Sequence, residues 1–245
     1  FKTYKLIMTA SGIEFNDIPN PEWSNGLAGS VSCSERVILT QTARDYFKDK
    51  LAESLKLNTP VESVDYNDLG ADVNGKRFDF VIDCTWGHYR PARPDTFYEP
   101  TILLYYSTKE KFPAFTLVDG PLASIYPTET NGIYTLSSVT HTPLATFDTA
   151  EKARKYLESD FNQSILDKKI ELMEEHICKY VPNFRDMFTY ESPQLAIKTK
   201  IIGATDDRSC SVVADGRYIS VMSGKIDTIF HGLERVIHHI ESYTI

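Results

Sequence analysis

The chain has 245 residues, 42% of them hydrophobic and 24% charged, which is ordinary globular usage and excludes disordered, collagen-like and coiled-coil proteins. Asp and Glu number 34 against 26 Lys and Arg, a net charge of −8, and this acidic balance argues against a general nucleic-acid binder, which concentrates positive charge. No run approaches the roughly 18 consecutive apolar residues of a membrane span, and no signal-peptide pattern is present. Cys33, Cys84, Cys178 and Cys210 are scattered, with no CxxC and no metal-type spacing, so reduced thiols in a cytoplasmic protein are expected. The chain opens at Phe1 and reads at once as structured sequence through Tyr4-Lys5-Leu6-Ile7-Met8. The expectation is a later part of a longer protein.

Strand signals dominate the first 145 residues, beginning with the spaced β-branched residues of Val31 to Leu39. Thr42 opens a predicted helix to Leu57, with Ala43, Phe47, Leu51 and Leu55 at three- and four-residue steps and Asp45 in a capping-box-like position. Pro60 ends it, and Val61 to Tyr66 reads as a strand. Asn74-Gly75 predicts a tight hairpin turn into Arg77 to Thr85. Within that run, Phe78 to Cys84 is nearly continuous in apolar character, the pattern of a strand buried on both faces. Strands are also predicted at Thr101 to Ser107 and Ala114 to Val118. A hairpin at Asn131-Gly132 joins Ser124–Thr128 to Ile133–Thr140. Asp148 or Thr149 caps a helical stretch reaching about Tyr180 and broken near Asn162. The strands Leu195–Ile202 and Ser209–Ser223 surround the turn at Asp215-Gly216, and a last helix runs from Thr228 to about Tyr243. Many strands with few, unevenly placed helices indicate an α+β, mixed α/β fold with a largely antiparallel sheet in the middle of the chain.

Two chain corners stand out. In Asp83-Cys84-Thr85-Trp86-Gly87-His88 a strand ends in a small polar residue, an aromatic ring and a glycine, and ligands of α/β sheets lie beyond the carboxyl ends of strands. The plain alternative is a strand followed by a turn. In Ser223-Gly224-Lys225-Ile226 a strand gives way to a helix start beside a lysine, a corner suited to an anion or to a ring that becomes negative on reduction. Here the plain alternative is a solvated lysine in a strand-to-helix turn. Arg208, after Asp206-Asp207, is a candidate clamp for a substrate anion. His88, Tyr89, Arg90 and Arg93 lie just past the first corner. His141, after the Ile133–Thr140 strand, and Tyr126 on its hairpin partner are candidates to face one cleft. Glu171, Glu174, Glu175 and His176 read as a solvated helix face, and adjacent His238 and His239 diverge too far on a helix to share a metal. No GxSxG elbow, HExxH helix or P-loop occurs.

Taken in order, these stretches resemble the FAD-dependent oxidoreductases of the D-amino-acid oxidase-like superfamily. Thr42 to Leu51 resembles the helix preceding the adenine-side strand, and Thr59-Pro60-Val61-Glu62-Ser63-Val64 that strand itself, whose valine contacts adenine. Phe78 to Gly87 is similar to the strand leading to a Thr-Gly turn beside the cofactor, with Trp86 standing between Thr85 and Gly87. Asp119 to Ser124 and His141-Thr142-Pro143 resemble motifs of a subgroup. Gly224-Lys225-Ile226 matches the closing helix corner that faces the flavin ring.

The resemblance implies FAD as cofactor, with Val61, Thr85, Trp86, Gly87, Gly224, Lys225 and Ile226 binding it and His141, Tyr126 and Arg208 orienting a small-molecule substrate. It implies residues 1–85 as part of the FAD-binding Rossmann-like domain interleaved with the substrate domain. Residues 86–200 would then be the substrate-binding antiparallel sheet with helices, and 201–245 the closing part of the FAD domain. The G-x-G-x-x-G turn that holds the FAD pyrophosphate is absent from this sequence, so an N-terminal FAD-binding segment is expected as a missing partner. The implied activity is oxidation of an amine- or hydroxyl-bearing small molecule by hydride transfer to flavin. The alternative is a non-catalytic binding domain that keeps the fold without FAD. Neither nucleic acid nor membrane is an expected partner.

Overall fold

The computed structural model describes residues 1–91, 93–118, 120–202, 209–222 and 224–244. It begins with helix α1 (Lys2–Ala10), strands β1 (Phe15–Ile18) and β2 (Ser30–Cys33) and helix α2 (Thr40–Lys50). Four short strands follow, β3 (Val64–Asn67), β4 (Gly70–Val73), β5 (Lys76–Phe78) and β6 (Val81–Asp83). Next come β7 (Thr96–Ser107), β8 (Phe115–Thr116), β9 (Ala123–Pro127) and β10 (Ile133–Ser138), then helices α3 (Ala150–Lys155), α4 (Gln163–Cys178) and α5 (Phe184–Met187). The described chain closes with β11 (Thr189–Ile201), β12 (Ser211–Asp215), β13 (Tyr218–Met222) and helix α6 (Ile229–Thr244). The expected mixture of helices and largely antiparallel sheet is present. The chain forms two compact units, residues 1–55, 100–144 and 157–196 in the first and residues 56–99, 145–156 and 197–245 in the second.

The first unit is built on a five-stranded sheet in the order β11-β7-β10-β9-β8. β10 pairs antiparallel with β7 and β9, and β8 with β9. Burial alternates along β10, so Tyr134, Leu136 and Ser138 face inward and Thr135 and Ser137 outward. Ile102, Leu104 and Tyr106 of β7 and Ile125 of β9 join the inner face. Helix α4 covers it with Leu166, Met173 and Ile177, whose spacing puts them on one helical stripe. The rings of Phe112, Tyr134, Phe184 and Phe188 complete this core through edge and stacked contacts at centroid distances of 4.7–5.6 Å. The predicted break at Asn162 is real: its side chain accepts the Ile165 N–H at 3.2 Å and starts α4 afresh. In the second unit, Thr149 caps α3 in the same way, at 3.3 Å from the Lys152 N–H.

The first residues, expected only to be structured, form α1 with Met8 buried. Two expectations in this unit change. The predicted Thr42–Leu57 helix is α2, which spans Thr40–Lys50 and buries none of its residues; Tyr46 and Phe47 are more than half exposed. Thr42 is not its cap. The Glu129 carboxylate supplies the cap instead, accepting from the N–H groups of Gln41 and Thr42 and from the Thr42 hydroxyl. Finally, the acidic α4 patch is a solvated face only in part: Glu171 and Glu175 are exposed, but the rest is not. His176 is buried, and Glu174 accepts from the Tyr106 hydroxyl at 2.9 Å and from Arg185 at 2.7 Å.

The second unit holds two three-stranded sheets, β3-β4-β5 and β12-β13-β6. Asn74 and Gly75 turn the first hairpin with φ of 50° and 77°, both left-handed, as a two-residue hairpin loop requires. Asp215-Gly216 turns the β12–β13 hairpin, and β13 then pairs parallel with β6. The strand buried on nearly every side is β13, with Tyr218, Ile219, Ser220 and Met222 buried. The run Phe78–Cys84 does not form one such strand. It breaks after Phe78, passes from one sheet to the other, and leaves Phe78 and Ile82 exposed. Arg217 fixes that crossing. Its guanidinium donates to the Asp68 and Asp79 carbonyls at 2.8 and 3.0 Å and lies over the rings of Phe80 and Tyr243. Helix α6 approaches the sheet closely at Gly232, where a Cβ would fall 3.0 Å from the Cys210 sulfur. Among the described residues no helix is long and apolar enough to cross a membrane.

Candidate functional site

The parallel pairing of β6 and β13 decides where the two corners lie. Val81, Ile82 and Asp83 stand opposite Tyr218, Ile219 and Ser220, so both strands run out at the same edge of one sheet. The Thr85-Trp86-Gly87 turn follows one, and Gly224-Lys225 follows the other two residues past Met222. The structure therefore brings these two candidate segments to one sheet edge, beyond the carboxyl ends of adjacent parallel strands.

The first turn is tightly specified. Buried Asp83 accepts the Thr85 N–H at 2.8 Å and the Tyr218 hydroxyl, and burial together with that carboxylate pushes the Tyr218 phenol well above its usual range. The Thr85 hydroxyl accepts the Tyr89 N–H at 3.0 Å, so it braces the turn. Trp86 and Gly87 have φ of 57° and 74°. A tryptophan in that region costs about 1–2 kcal/mol, and such strain persists only where the surroundings enforce it. Here the Tyr98 hydroxyl donates to the Gly87 carbonyl at 2.5 Å, and a Cβ on Gly87 would lie 3.3 Å from that hydroxyl. The strained turn holds the Trp86 ring 41% exposed. Beyond it, His88 Nδ1 accepts from Arg154 at 3.0 Å. Burial and then the Arg154 charge lower the His88 pKa. Arg90 lies over Tyr218 and Tyr66, closing the loop onto the sheet.

On the second turn Lys225 is extended and exposed, and the Thr228 hydroxyl donates to its carbonyl at 2.7 Å. The exposed Ile226 opens a 3₁₀ turn that leads into α6. An ammonium and an early helical turn thus follow one strand of the parallel pair, and an exposed indole follows the other. That set fits a flat ring carrying negative charge.

The other candidates fall elsewhere. Val61 lies in the loop before β3, clipped by Asn74 to the flanking backbone, on a different sheet from the two turns. Arg208 lies outside the described residues. Tyr126 and His141 are not brought to one cleft. Tyr126 pairs with Thr135 and shares its outward face, whereas His141 packs on the α4 side with its ring 5.8 Å from that of buried His176. His176 Nδ1 is 2.8 Å from the Ser138 hydroxyl, and Lys169 donates to the His141 carbonyl at 2.8 Å. Burial lowers both histidine pKa values, helped by nearby Lys169 and Lys179 for His141 and by His141 and Lys179 for His176.

On the outer face of the first unit's sheet is a cleft of about 320 Å³ that includes Tyr126. Tyr105 and Gln194 also line it, and neither stands out in the sequence. Strand register places Tyr105 there, since Thr135 of β10 is opposite both Tyr105 of β7 and Tyr126 of β9, and Gln194 joins through the Tyr105 hydroxyl. A larger depression of about 730 Å³ lies between the end of α1 and the β1–β2 ribbon; it has no aromatic pair or polar network comparable to this one.

Among curated proteins, the chain is 48% identical over 242 residues to the FAD-dependent monooxygenase FPY4 of Fusarium mangiferae. The chain is thus similar, over nearly its whole length, to an FAD-dependent monooxygenase. The match covers 98% of this chain and 65% of that protein's length, so the chain spans about two-thirds of the relative it matches. Two solved structures share the fold. The FAD-dependent oxidoreductase PA4991 from Pseudomonas aeruginosa superposes with a TM-score of 0.51 at 14% identity, over 81% of this chain and 57% of that one. A thermally stable mutant of fructosyl peptide oxidase gives 0.50 at 10% identity, over 75% and 49%. No protein-family model matches the chain. These likenesses agree with the resemblance read from motif order.

Proposed function

We propose that this chain is the flavin-flanking and substrate-binding portion of an FAD-dependent oxidoreductase acting on an amine- or hydroxyl-bearing small molecule. The observation that carries this reading is the parallel β6–β13 pair, with the Trp86 and Lys225 turns beyond the carboxyl ends of its strands. The 48% identity to an FAD-dependent monooxygenase supports FAD as the cofactor. When bound, the flavin supplies the hydride acceptor. The chain's own residues bind and tune. Trp86 offers a ring face, held by the strained turn and by Tyr98. Lys225 and the turn after it favour negative charge on the ring, a preorganised electrostatic effect. Thr85 and Asp83 keep the turn in place. Tyr126 and Arg208 are proposed to orient the substrate.

The relative is about half as long again as this chain, which supports a further segment supplying the glycine-rich pyrophosphate turn that this sequence lacks. The four cysteines are unpaired, which supports a reducing, cytoplasmic setting. A second reading, monooxygenation, is favoured by the name of the relative. The test is purification of the full protein with its visible flavin spectrum, followed by turnover under isotopically labelled oxygen. Flavin with unlabelled product supports dehydrogenation, and label in the product supports the second reading. A colourless protein that takes up no added FAD leaves only the non-catalytic binding domain.

A further inference from the structure

The geometry points to the outer-face cleft as a slot for a flat, uncharged, oxygen-bearing ring, not for a carboxylate. This deepens the proposed function by naming a substrate class for the same protein.

Tyr105 and Tyr126 stand on the two strands that flank β10, each directly across from Thr135. Two interstrand spacings put their backbones about 10 Å apart, enough to seat one aromatic ring over the small threonine floor. Each phenol is braced from its outer side. The Tyr105 hydroxyl donates to Gln194 Oε1 at 2.8 Å, and the Tyr126 hydroxyl accepts from Thr116 at 2.7 Å. This bonding leaves the Gln194 amide N–H groups and the Tyr126 O–H as donors, matched to carbonyl, ether or hydroxyl oxygens of a ligand. Charge argues against an anion. Among the described residues lining the cleft, Glu129 is the one charged side chain; none is Lys or Arg. A carboxylate would meet a like charge and no cation, whereas a neutral ring keeps both the stacking and the hydrogen bonds.

The probe is coumarin, a flat neutral lactone, against coumarin-3-carboxylate, the same ring with an anionic group. Binding of each to the full chain is followed by ligand-observed NMR, which needs no flavin. Coumarin is expected to bind, with the carboxylate about tenfold weaker or worse. Thr135→Phe, which fills the floor, and Tyr126→Ala, which removes one wall, should each weaken coumarin about tenfold with an unchanged fold by circular dichroism. Lys152→Ala, in the other unit, should leave it unchanged. Equal or tighter binding of the carboxylate, no binding of coumarin, or indifference to both cleft variants overturns the proposal. Because the readout involves no flavin, a chain that binds coumarin as described but takes up no FAD defeats the proposed function alone.

Discussion

On β10, Tyr134, Leu136 and Ser138 turn toward α4 and are buried, while Thr135 between them turns the other way, between Tyr105 and Tyr126. The inner face is packed by Met173, Ile177, Phe184 and their neighbours. The outer face carries tyrosines braced by Gln194 and Thr116 around a cleft. The same strands thus make a structural face and a recognition face, one residue out of phase. The lesson is that the inner face should carry stability and the outer face binding, and that the two should respond separately to substitution.

The largest effect expected from this contrast is Met173→Ala. Met173 is fully buried, and its truncation should cost about 2–5 kcal/mol in denaturant unfolding through lost burial and a residual cavity. A loss under about 1 kcal/mol would show that the inner face is not the packed core described here.

The next is pH dependence of the inner face. His176 and His141 have folded pKa values lowered from 6.5, so below pH 6.5 the unfolded chain binds protons that the folded chain does not. Stability should be flat above that pH. It should fall as pH drops through 6.5 toward the folded pKa values, by at most about 1.4 kcal/mol per pH unit for each histidine. The charged groups facing this cluster are Lys169, Lys179 and Glu175. His176→Gln should flatten the slope; an unchanged slope would place the titration elsewhere.

The smallest is Tyr105→Phe on the outer face. It removes one half-exposed hydrogen bond to Gln194 and should shift stability by about 1 kcal/mol or less while changing the cleft's ligand affinity. A loss as large as that of Met173→Ala would erase the distinction between the faces.

Much of this fold was legible locally. Asn74-Gly75, Asn131-Gly132 and Asp215-Gly216 all turn hairpins, and Asn162 restarts a helix, because turn and cap chemistry acts over a few residues. What depended on distant pairing was not. Phe78–Cys84 looked like one buried strand because apolar run length does not reveal a change of sheet. Proximity along the hairpin does not bring Tyr126 and His141 together, because it does not fix which face a residue takes: Tyr126 stands opposite outward Thr135, whereas His141 follows inward Ser138 and packs beside His176. Tyr105 and Gln194 carried no signal, since strand register and a hydrogen bond between distant residues bring them to the cleft. The two corners were named separately from local composition. Their meeting at one edge rests on a parallel pairing between Asp83 and Ser220 that no short-range pattern encodes.

The most direct test of that meeting is the flavin midpoint potential of the full protein with Lys225→Ala. Loss of a positive charge beside a ring that gains negative charge on reduction should lower the potential and slow flavin reduction, with FAD still bound. An unchanged potential, reduction rate and flavin spectrum would remove Lys225 from the flavin's edge and take the assignment of this corner with it.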